Sequence, residues 1–177
     1  MNTQLCIKKS HQLATKSNTV HALFKAFQDD EMHHSNIFYA DEITTYKKLN
    51  LLSDNVACCL LSRQIQVEDL VGVLMERSID AITSQLGILK AGGAYLPIAP
   101  NDFPLERILS IFEDARVSYI ISHKKNESLI ISLQANLCRP LSCLYIDEDI
   151  EFSTGKTGDS LLQNVQVDPD NLAYVMY

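Results

Sequence analysis

The residues of this sequence that could do chemistry with phosphates stand in one short stretch. Gly155-Lys156-Thr157 has the residue types that end a P-loop, in which backbone N–H groups and a lysine surround phosphate groups. The full pattern needs a glycine five residues before Gly155, where Ile150 stands, and no apolar helix follows it. We therefore interpret this stretch as a polar loop and not as a nucleotide site.

An acidic cluster follows a predicted strand and is the second candidate for chemistry. Its carboxylates belong to Asp147, Glu148, Asp149 and Glu151. Carboxylate oxygens are good ligands for divalent cations, whereas a run of like charges is more often a solvated surface loop. We favour the loop and keep a cation site as the alternative.

The cysteines and histidines lack the spacing of metal ligands. No C-x-x-C pair occurs, and the five cysteines are Cys6, Cys58, Cys59, Cys138 and Cys143. His33 and His34 are adjacent, and adjacent residues do not face each other on a helix. We predict thiols in a reducing compartment, a solvated histidine pair and no metal site. Tyr46 and Tyr95 are expected to pack, and neither a nucleophile elbow nor a G-x-G-x-x-G turn is present.

Composition and charge exclude several classes of protein. The 177 residues are 46% hydrophobic and 21% charged, which is ordinary for a globular protein. The formal net charge of −7 disfavours binding to nucleic acid or to an anionic membrane surface. No apolar run approaches the roughly 20 residues of a spanning helix, and residues 1–20 contain no apolar block of the kind found in signal peptides. We predict a cytoplasmic protein without nucleic-acid or membrane partners.

The elements that must position any site alternate between helix and strand, after an irregular segment at 1–18. Apolar spacing and capping residues predict helices at 19–27, 46–62, 78–90, 104–112 and 129–137. Apolar runs predict strands at 37–39, 43–44, 71–75, 95–98, 119–122, 144–146 and 172–177. The strand at 71–75 is apolar on both faces, so it needs a sheet covered on both sides. This order predicts an α/β fold with a largely parallel sheet.

Local features around the third helix sharpen these predictions. Ser78 is expected to cap that helix, and its buried stripe is predicted at Ile79, Ile82, Leu86 and Leu89. Lys90 and Gly92-Gly93 mark its end, because a cation suits the last turn and glycines permit a tight turn. Pro97 confines the following extended segment to a sheet edge or a strand end.

Four segments in a fixed order carry a resemblance to a known family. They are residues 45–50, residues 77–80 with 87–98 (Arg-Ser-Ile-Asp, then Gly-Ile-Leu-Lys-Ala-Gly-Gly-Ala-Tyr-Leu-Pro-Ile), residues 104–108 and residues 172–177. Together they resemble the adenylation domains of nonribosomal peptide synthetases, which are AMP-dependent synthetases/ligases of the acyl-adenylate-forming superfamily. The resemblance covers residues 19–177 and is weakest over 124–170. Three positions depart from the family pattern, namely Thr44, Lys48 and Ala99.

The resemblance implies a fold, an activity and partners. Residues 19–177 would be an incomplete N-terminal portion of the large domain, truncated before the Thr/Ser/Gly-rich phosphate loop that follows the strand at 172–177. The family activates an amino acid with ATP and Mg²⁺, releases pyrophosphate, and passes the acyl group to a carrier-protein phosphopantetheine thiol. Partners would be the rest of the adenylation domain and the carrier and condensation domains of a synthetase.

No catalytic, cofactor-binding or metal residue carries over to this chain, because the family's ATP-binding parts lie beyond the strand at 172–177. Lys90 is interpreted as a helix-end residue and not as the catalytic lysine. The isolated chain is expected to be inactive and poorly soluble. Two alternatives stay open: a fragment of an acyl-CoA ligase-type enzyme, and a non-enzymatic module that binds a partner through an open sheet edge. The Arg-Ser and Leu-Lys-Ala-Gly-Gly-Ala-Tyr runs favour the amino-acid branch.

Overall fold

The computed structural model of the chain describes residues 19–28, 36–40, 42–150, 162 and 164–177. The helices are α1 (Val20–Gln28), α2 (Tyr46–Ser62), α3 (Ile79–Lys90), α4 (Leu105–Asp114) and α5 (Glu127–Asn136), with a short 3₁₀ helix at Lys124–Asn126. The strands are β1 (Asn36–Tyr39), β2 (Glu42–Thr45), β3 (Leu70–Leu74), β4 (Ala94–Ile98), β5 (Tyr119–Ser122) and β6 (Ser142–Tyr145). The predictions for residues 1–18, the histidine pair and the P-loop-like stretch lie outside these residues.

Four of the strands form a parallel sheet in the order β4-β3-β5-β6. Val71 of β3 lies opposite Tyr95 on one side and Tyr119 on the other, and Tyr119 lies opposite Ser142. The first two strands form a separate antiparallel hairpin. The predicted α/β fold with a largely parallel sheet is confirmed.

Both faces of the sheet are covered by helices, as the apolar run of β3 predicts. On one face Val71 and Val73 belong to a core cluster with Val56 of α2 and Ile88 of α3. On the other face the core contains residues of β3, β4 and β5 together with residues of α4 and α5, including Leu74, Leu96, Ile120, Phe112 and Leu133. Strands buried on both faces are typical of parallel sheets in α/β proteins.

Helix α3 begins at its capping serine and ends at a pair of glycines, as the sequence predicts. The Ser78 hydroxyl accepts a hydrogen bond from the Ala81 amide at 3.0 Å at the start of α3. Gly92 has a φ of 86°, a left-handed conformation that favours glycine. A Cβ at Gly93 would lie 3.1 Å from the carbonyl oxygen of Asp69. The predicted role of the two glycines in a tight helix-to-strand turn is confirmed.

The predicted buried stripe of α3 is wrong at one position. Ile82 is 43% exposed, whereas the neighbouring Thr83 and Ser84 are buried. Their hydroxyls donate to backbone carbonyls one turn earlier in the same helix, both at 2.8 Å. Because these hydroxyls are satisfied within the helix, α3 can bury Thr83 and Ser84 together with its aliphatic residues Ile79, Leu86, Ile88 and Leu89.

Helices α2 and α3 come into direct backbone contact at Gly87. A Cβ at this position would lie 2.6 Å from Cβ and Cγ1 of Val56 and 2.9 Å from the carbonyl oxygen of Ser53. Such distances are far inside van der Waals contact, and two of the three contacts involve atoms fixed to the backbone. Only glycine fits between the helices as they stand.

A buried lysine joins the same two helices. The Lys90 ammonium lies 2.7 Å from Asn50 Oδ1, 2.8 Å from Ser53 Oγ and 2.7 Å from Asp54 Oδ1. Its side chain is 9% exposed, and the ring of Phe24 from α1 lies over it with the centroid 5.9 Å from Nζ. The interpretation of Lys90 as a helix-end residue agrees with this geometry, which gives it the added role of binding α2 to α3.

The segment at 172–177 adds to the outer edge of β4, but only around one residue. The Tyr95 amide donates to the Ala173 carbonyl at 3.1 Å, and the Val175 amide donates to the Tyr95 carbonyl at 3.0 Å. The next bond of a parallel ladder would need an N–H at Pro97, which has none. The predicted strand at 172–177 is therefore reduced to an isolated bridge between Tyr95 and Tyr174, and the placement of Pro97 in an outer strand is confirmed.

We expect Gly87→Ala to destabilise the chain by about 2 kcal/mol, although alanine is the better helix former, because the added methyl forces α2 and α3 apart. Urea unfolding followed by circular dichroism measures the change. Ile82→Ala on the exposed side of the same helix is the control, with an expected loss below about 1 kcal/mol. An unfolding free energy for Gly87→Ala equal to that of the parent chain would contradict this packing.

We expect Lys90→Met to cost about 2–4 kcal/mol, because it keeps the aliphatic stem but leaves the Asp54 carboxylate and the Asn50 and Ser53 oxygens without their cation. The same urea titration measures it. Lys47→Met, at an exposed position of α2, is the matched control and should change stability by less than about 0.5 kcal/mol. Equal midpoints for the two variants would show that the buried contacts contribute nothing net.

Candidate functional site

The topology of the sheet identifies one place where a ligand site is expected. The crossover from β3 to β4 uses α3 on one face of the sheet, and the crossover from β4 to β5 uses α4 on the other. The direction of winding therefore reverses between β3 and β5. In open α/β sheets, ligands bind outside the carboxyl ends of the strands at such a switch point. Here it lies between Leu74 and Ser122.

The switch point is closed by hydrogen bonds among its own residues. The buried Ser122 hydroxyl donates to the Leu74 carbonyl at 2.6 Å. The Asn126 amide group donates to the same carbonyl at 3.2 Å and to the Ser122 hydroxyl oxygen at 3.0 Å. These side chains satisfy the last carbonyl of β3 and tie it to the segment that follows β5. The polar groups that a ligand would use are therefore already engaged.

A histidine–aspartate pair lies beside this closed crevice. His123 Nε2 is 2.9 Å from Asp80 Oδ2, and the histidine side chain is 14% exposed. The pair connects the end of β5 to the first turn of α3, while the buried Nδ1 of His123 has no hydrogen-bond partner. The Ser122 hydroxyl, which precedes this histidine in the chain, is directed to the Leu74 carbonyl. The three side chains thus do not form the relay that activates a serine nucleophile.

The acidic cluster after β6 is divided among separate partners. Asp147 accepts from the Lys124 amide at 2.9 Å, and Glu148 pairs with the Lys124 ammonium at 3.3 Å. Asp149 accepts from the Tyr145 amide at 2.8 Å and lies 3.6 Å from the Arg63 guanidinium. Within the described ranges, no group of three or more His, Cys, Asp or Glu residues is placed to hold a metal ion. This geometry favours the loop interpretation over the cation site, with Glu151 lying outside the described residues.

The partly buried thiols are poorly suited to nucleophilic chemistry. Burial raises the pKa of the Cys59 thiol, and it raises the pKa of Cys143 to about 11. Both groups are therefore protonated at neutral pH, and the thiol is a much weaker nucleophile than the thiolate. Cys59, Cys138 and Cys143 are free, as predicted.

The two tyrosines considered in the sequence are packed against other rings. The Tyr46 and Phe24 ring centroids are 5.6 Å apart, and Tyr95 stacks on Tyr174 at the same separation. Burial raises the pKa of Tyr95, with the neighbouring Tyr174 as a second cause. A neutral, stacked phenol of this kind agrees with a packing role.

Sequence reasoning missed the residues that close the switch point and one that holds the terminal segment. Ser122, His123 and Asn126 could have been found from their position at or shortly after the carboxyl end of a predicted strand, where α/β proteins place polar side chains. Glu68 gives no comparable signal: its carboxylate accepts from the Leu172 amide at 3.0 Å across 104 positions of sequence. Across the part of the chain that is described, no helix combines the length and apolar character needed to cross a membrane.

Comparison with known proteins places these features in a family. Residues 24–177 match the family model described as AMP-binding enzyme. Gramicidin S synthase 2 of Brevibacillus brevis is 33% identical over 159 residues, which is 90% of this chain and 3% of the synthase. The chain thus spans a small part of the length of this relative.

Solved structures of related enzymes have the same fold. A crystal structure of the nonribosomal peptide synthetase FmoA3 superposes with a TM-score of 0.71 and 29% identity, over 90% of this chain and 16% of that one. Its AMPPNP-bound form gives a TM-score of 0.70 and 27% identity, over 91% and 16% of the two chains. The anthranilate CoA ligase AuaEII, bound to anthranoyl-AMP, gives 0.64 at 18% identity, over 84% and 29%, and shows the fold alone. With its parallel sheet and a family match over 24–177, the chain belongs to the AMP-binding enzyme family.

Proposed function

We propose that this chain is the N-terminal part of an adenylation domain that activates an amino acid for nonribosomal peptide synthesis. In that reaction the amino-acid carboxylate attacks the α-phosphorus of ATP, which forms an aminoacyl-AMP and releases pyrophosphate. The observation that carries the proposal is the similarity to gramicidin S synthase 2 over 90% of this chain. The segment at 87–98 supports it because it resembles a core motif of amino-acid-activating adenylation domains. In this structure its Gly87, Lys90, Gly92 and Gly93 shape the helix pair and the turn into β4.

The residues of this chain act as a scaffold in the proposed enzyme. The switch point between β3 and β5 is occupied by Ser122 and Asn126, and the carboxylates after β6 bond to backbone amides and cations. We therefore assign neither contacts with ATP or Mg²⁺ nor a chemical step to the described residues. Their contribution is to hold the segment at 172–177 along the sheet, so that it runs toward the carboxyl edge.

Cofactors and partners follow from the proposed domain and not from residues of this chain. ATP and Mg²⁺ would bind to the rest of the adenylation domain, and a phosphopantetheine-bearing carrier protein would take up the aminoacyl group. The AMPPNP-bound FmoA3 structure supports a nucleotide substrate for the family. The exposed apolar side chains Leu172, Tyr174 and Met176 fit a surface that another part of the domain covers. A cytoplasmic location stays a prediction from the sequence.

An acyl-CoA ligase-type enzyme is the second candidate, since AuaEII shares the fold. Its identity of 18% is well below the 33% shared with gramicidin S synthase 2. The two candidates differ in substrate, because only the first requires the amino group of the acid. A comparison of amino acids with matched carboxylic acids that lack this group therefore separates them.

We expect the isolated chain to show no amino-acid-dependent exchange of pyrophosphate into ATP, because the described residues offer no ATP site. When residues 24–177 replace the matching region of gramicidin S synthase 2, we expect exchange to persist with the amino acid that the parent synthase uses. The parent and a version that lacks the region are the controls.

Two results would contradict the proposal. Exchange by the purified isolated chain above background would place a complete site within it. A well-folded chimera without amino-acid-dependent exchange would show that this segment does not support an amino-acid-activating site, and would instead favour the ligase alternative.

A further inference from the structure

Glu68 makes an unusual connection between the turn before β3 and the distant segment at 172–177. Its carboxylate accepts from the Leu172 amide at 3.0 Å and from the Asn171 side-chain amide at 3.1 Å. The backbone of Glu68 has a φ of 69°, in the left-handed region that favours glycine. A glutamate held there is strained, and the surrounding structure must offset the strain. The Glu68 amide also donates to the Gly92 carbonyl at 2.9 Å, so its backbone and its side chain are both held.

Other contacts also bear on the register of the segment: Val175 packs against the core on the α4 side of the sheet, and the Tyr177 hydroxyl donates to Asp114 Oδ2 at 2.5 Å. Two backbone hydrogen bonds and one ring stack, all at Tyr95, join it to β4. Because Pro97 has no N–H, it cannot donate the next bond of the ladder. A slip by two residues keeps every side chain on its face. It would place Leu172 or Met176 where Tyr174 now lies, and all three are exposed apolar residues.

The turn that precedes the segment is built to present Asn171 to Glu68. The Asp168 amide donates to Asn171 Oδ1 at 2.8 Å, and the Asn171 amide donates to the Asp168 carbonyl at 3.0 Å. This leaves the amide nitrogen of the Asn171 side chain to bond to Glu68. The Asn171 side-chain oxygen thus accepts a bond within its own turn, while the side-chain nitrogen donates to Glu68 in the turn before β3.

We propose that Glu68 is a positioning residue whose carboxylate fixes the start of the segment at 172–177, and with it the register of the segment on β4. The segment runs parallel to β4. Its register therefore determines how far it extends toward the carboxyl ends of the strands, where α/β proteins bind their substrates. For its consequence in catalysis the inference rests on the proposed function, whereas the register itself is a property of this chain. Glu68 thus acts on the site through the segment, without contact with substrate.

The contact of Glu68 with the segment depends on pH, because it is made by the ionised carboxylate. Hydrogen bonds from the Leu172 amide, first, and from the Asn171 side chain lower the pKa of the Glu68 carboxyl. The contact is therefore at full strength above the ordinary pKa of glutamate and is lost as the pH falls through the lowered value. Other carboxylates lie nearby in sequence or in the turn, namely Asp69, Asp168 and Asp170. Of these, Asp69 accepts from the Gln66 amide and Asp168 from the Asp170 amide.

Hydrogen exchange of the purified chain, read by NMR at single amides, tests the proposal without any activity assay. In Glu68→Gly, which also relieves the backbone strain, we expect protection of the Leu172 and Val175 amides to fall by about tenfold, the effect of losing one charge-assisted hydrogen bond. The nuclear Overhauser contacts between the Tyr95 and Tyr174 rings should weaken or be replaced by contacts to Leu172 or Met176. Unchanged protection and unchanged ring contacts would overturn the proposal.

Two further variants separate positioning from general stability. Gln64→Gly is the matched control, because Gln64 also has a left-handed backbone, with a φ of 64°, and should leave the Leu172 amide protected. Glu68→Gln keeps an oxygen acceptor and should retain the register, but it should remove the loss of Leu172 protection on acidification that the parent chain shows. The same acid-dependent loss in Glu68→Gln would assign the titration to another carboxylate and refute the role of Glu68. Because none of these readouts uses ATP, they stand or fall separately from the adenylation proposal.

Discussion

The contact between α2 and α3 at Gly87 is the constraint on which the rest of this structure depends. With no room for a Cβ against Val56, the two helices approach to backbone distance, and this brings Asn50, Ser53 and Asp54 within reach of the Lys90 ammonium. The helix pair then covers one face of β3 as a single layer. A hydrophobic contact alone would tolerate small shifts of one helix along the other, whereas a buried cation with three side-chain acceptors allows one arrangement.

At the switch point, too, side-chain hydrogen bonds hold neighbouring elements together. Ser122 and Asn126 use the last carbonyl of β3, and His123 joins Asp80 across the crevice. In many α/β proteins this is where a ligand enters, but here internal hydrogen bonds take the ligand's place. In our proposal the chain is therefore a support, and the chemistry belongs to other parts of the domain.

The sequence predicts the local structure well because local chemistry determines it. The Ser78 cap, the turn at Gly92 and Gly93 and the buried β3 each follow from a few adjacent residues. Prediction fails where distant elements decide. Ile82 is exposed because the packing of α3 favours Thr83 and Ser84, and the strand at 172–177 is shortened by Pro97 of another strand. The role of Glu68 could not be predicted for the same reason, since its partner Leu172 lies 104 positions away in the sequence.

The strand order also has a consequence for how the chain folds. In chain order, β3 is the first strand of the parallel sheet, and β4 and β5 pair with its two sides. Then β6 pairs with β5, and the segment at 172–177 joins the outer side of β4. Each new strand therefore docks on an edge that already exists, and none must insert between two earlier ones. Such a sheet can grow outward as the polypeptide leaves the ribosome, from the amino-terminal end onward. Among the pairings of this sheet, the one at Tyr174 joins the positions that lie farthest apart in sequence, so its loop-closure entropy is the largest.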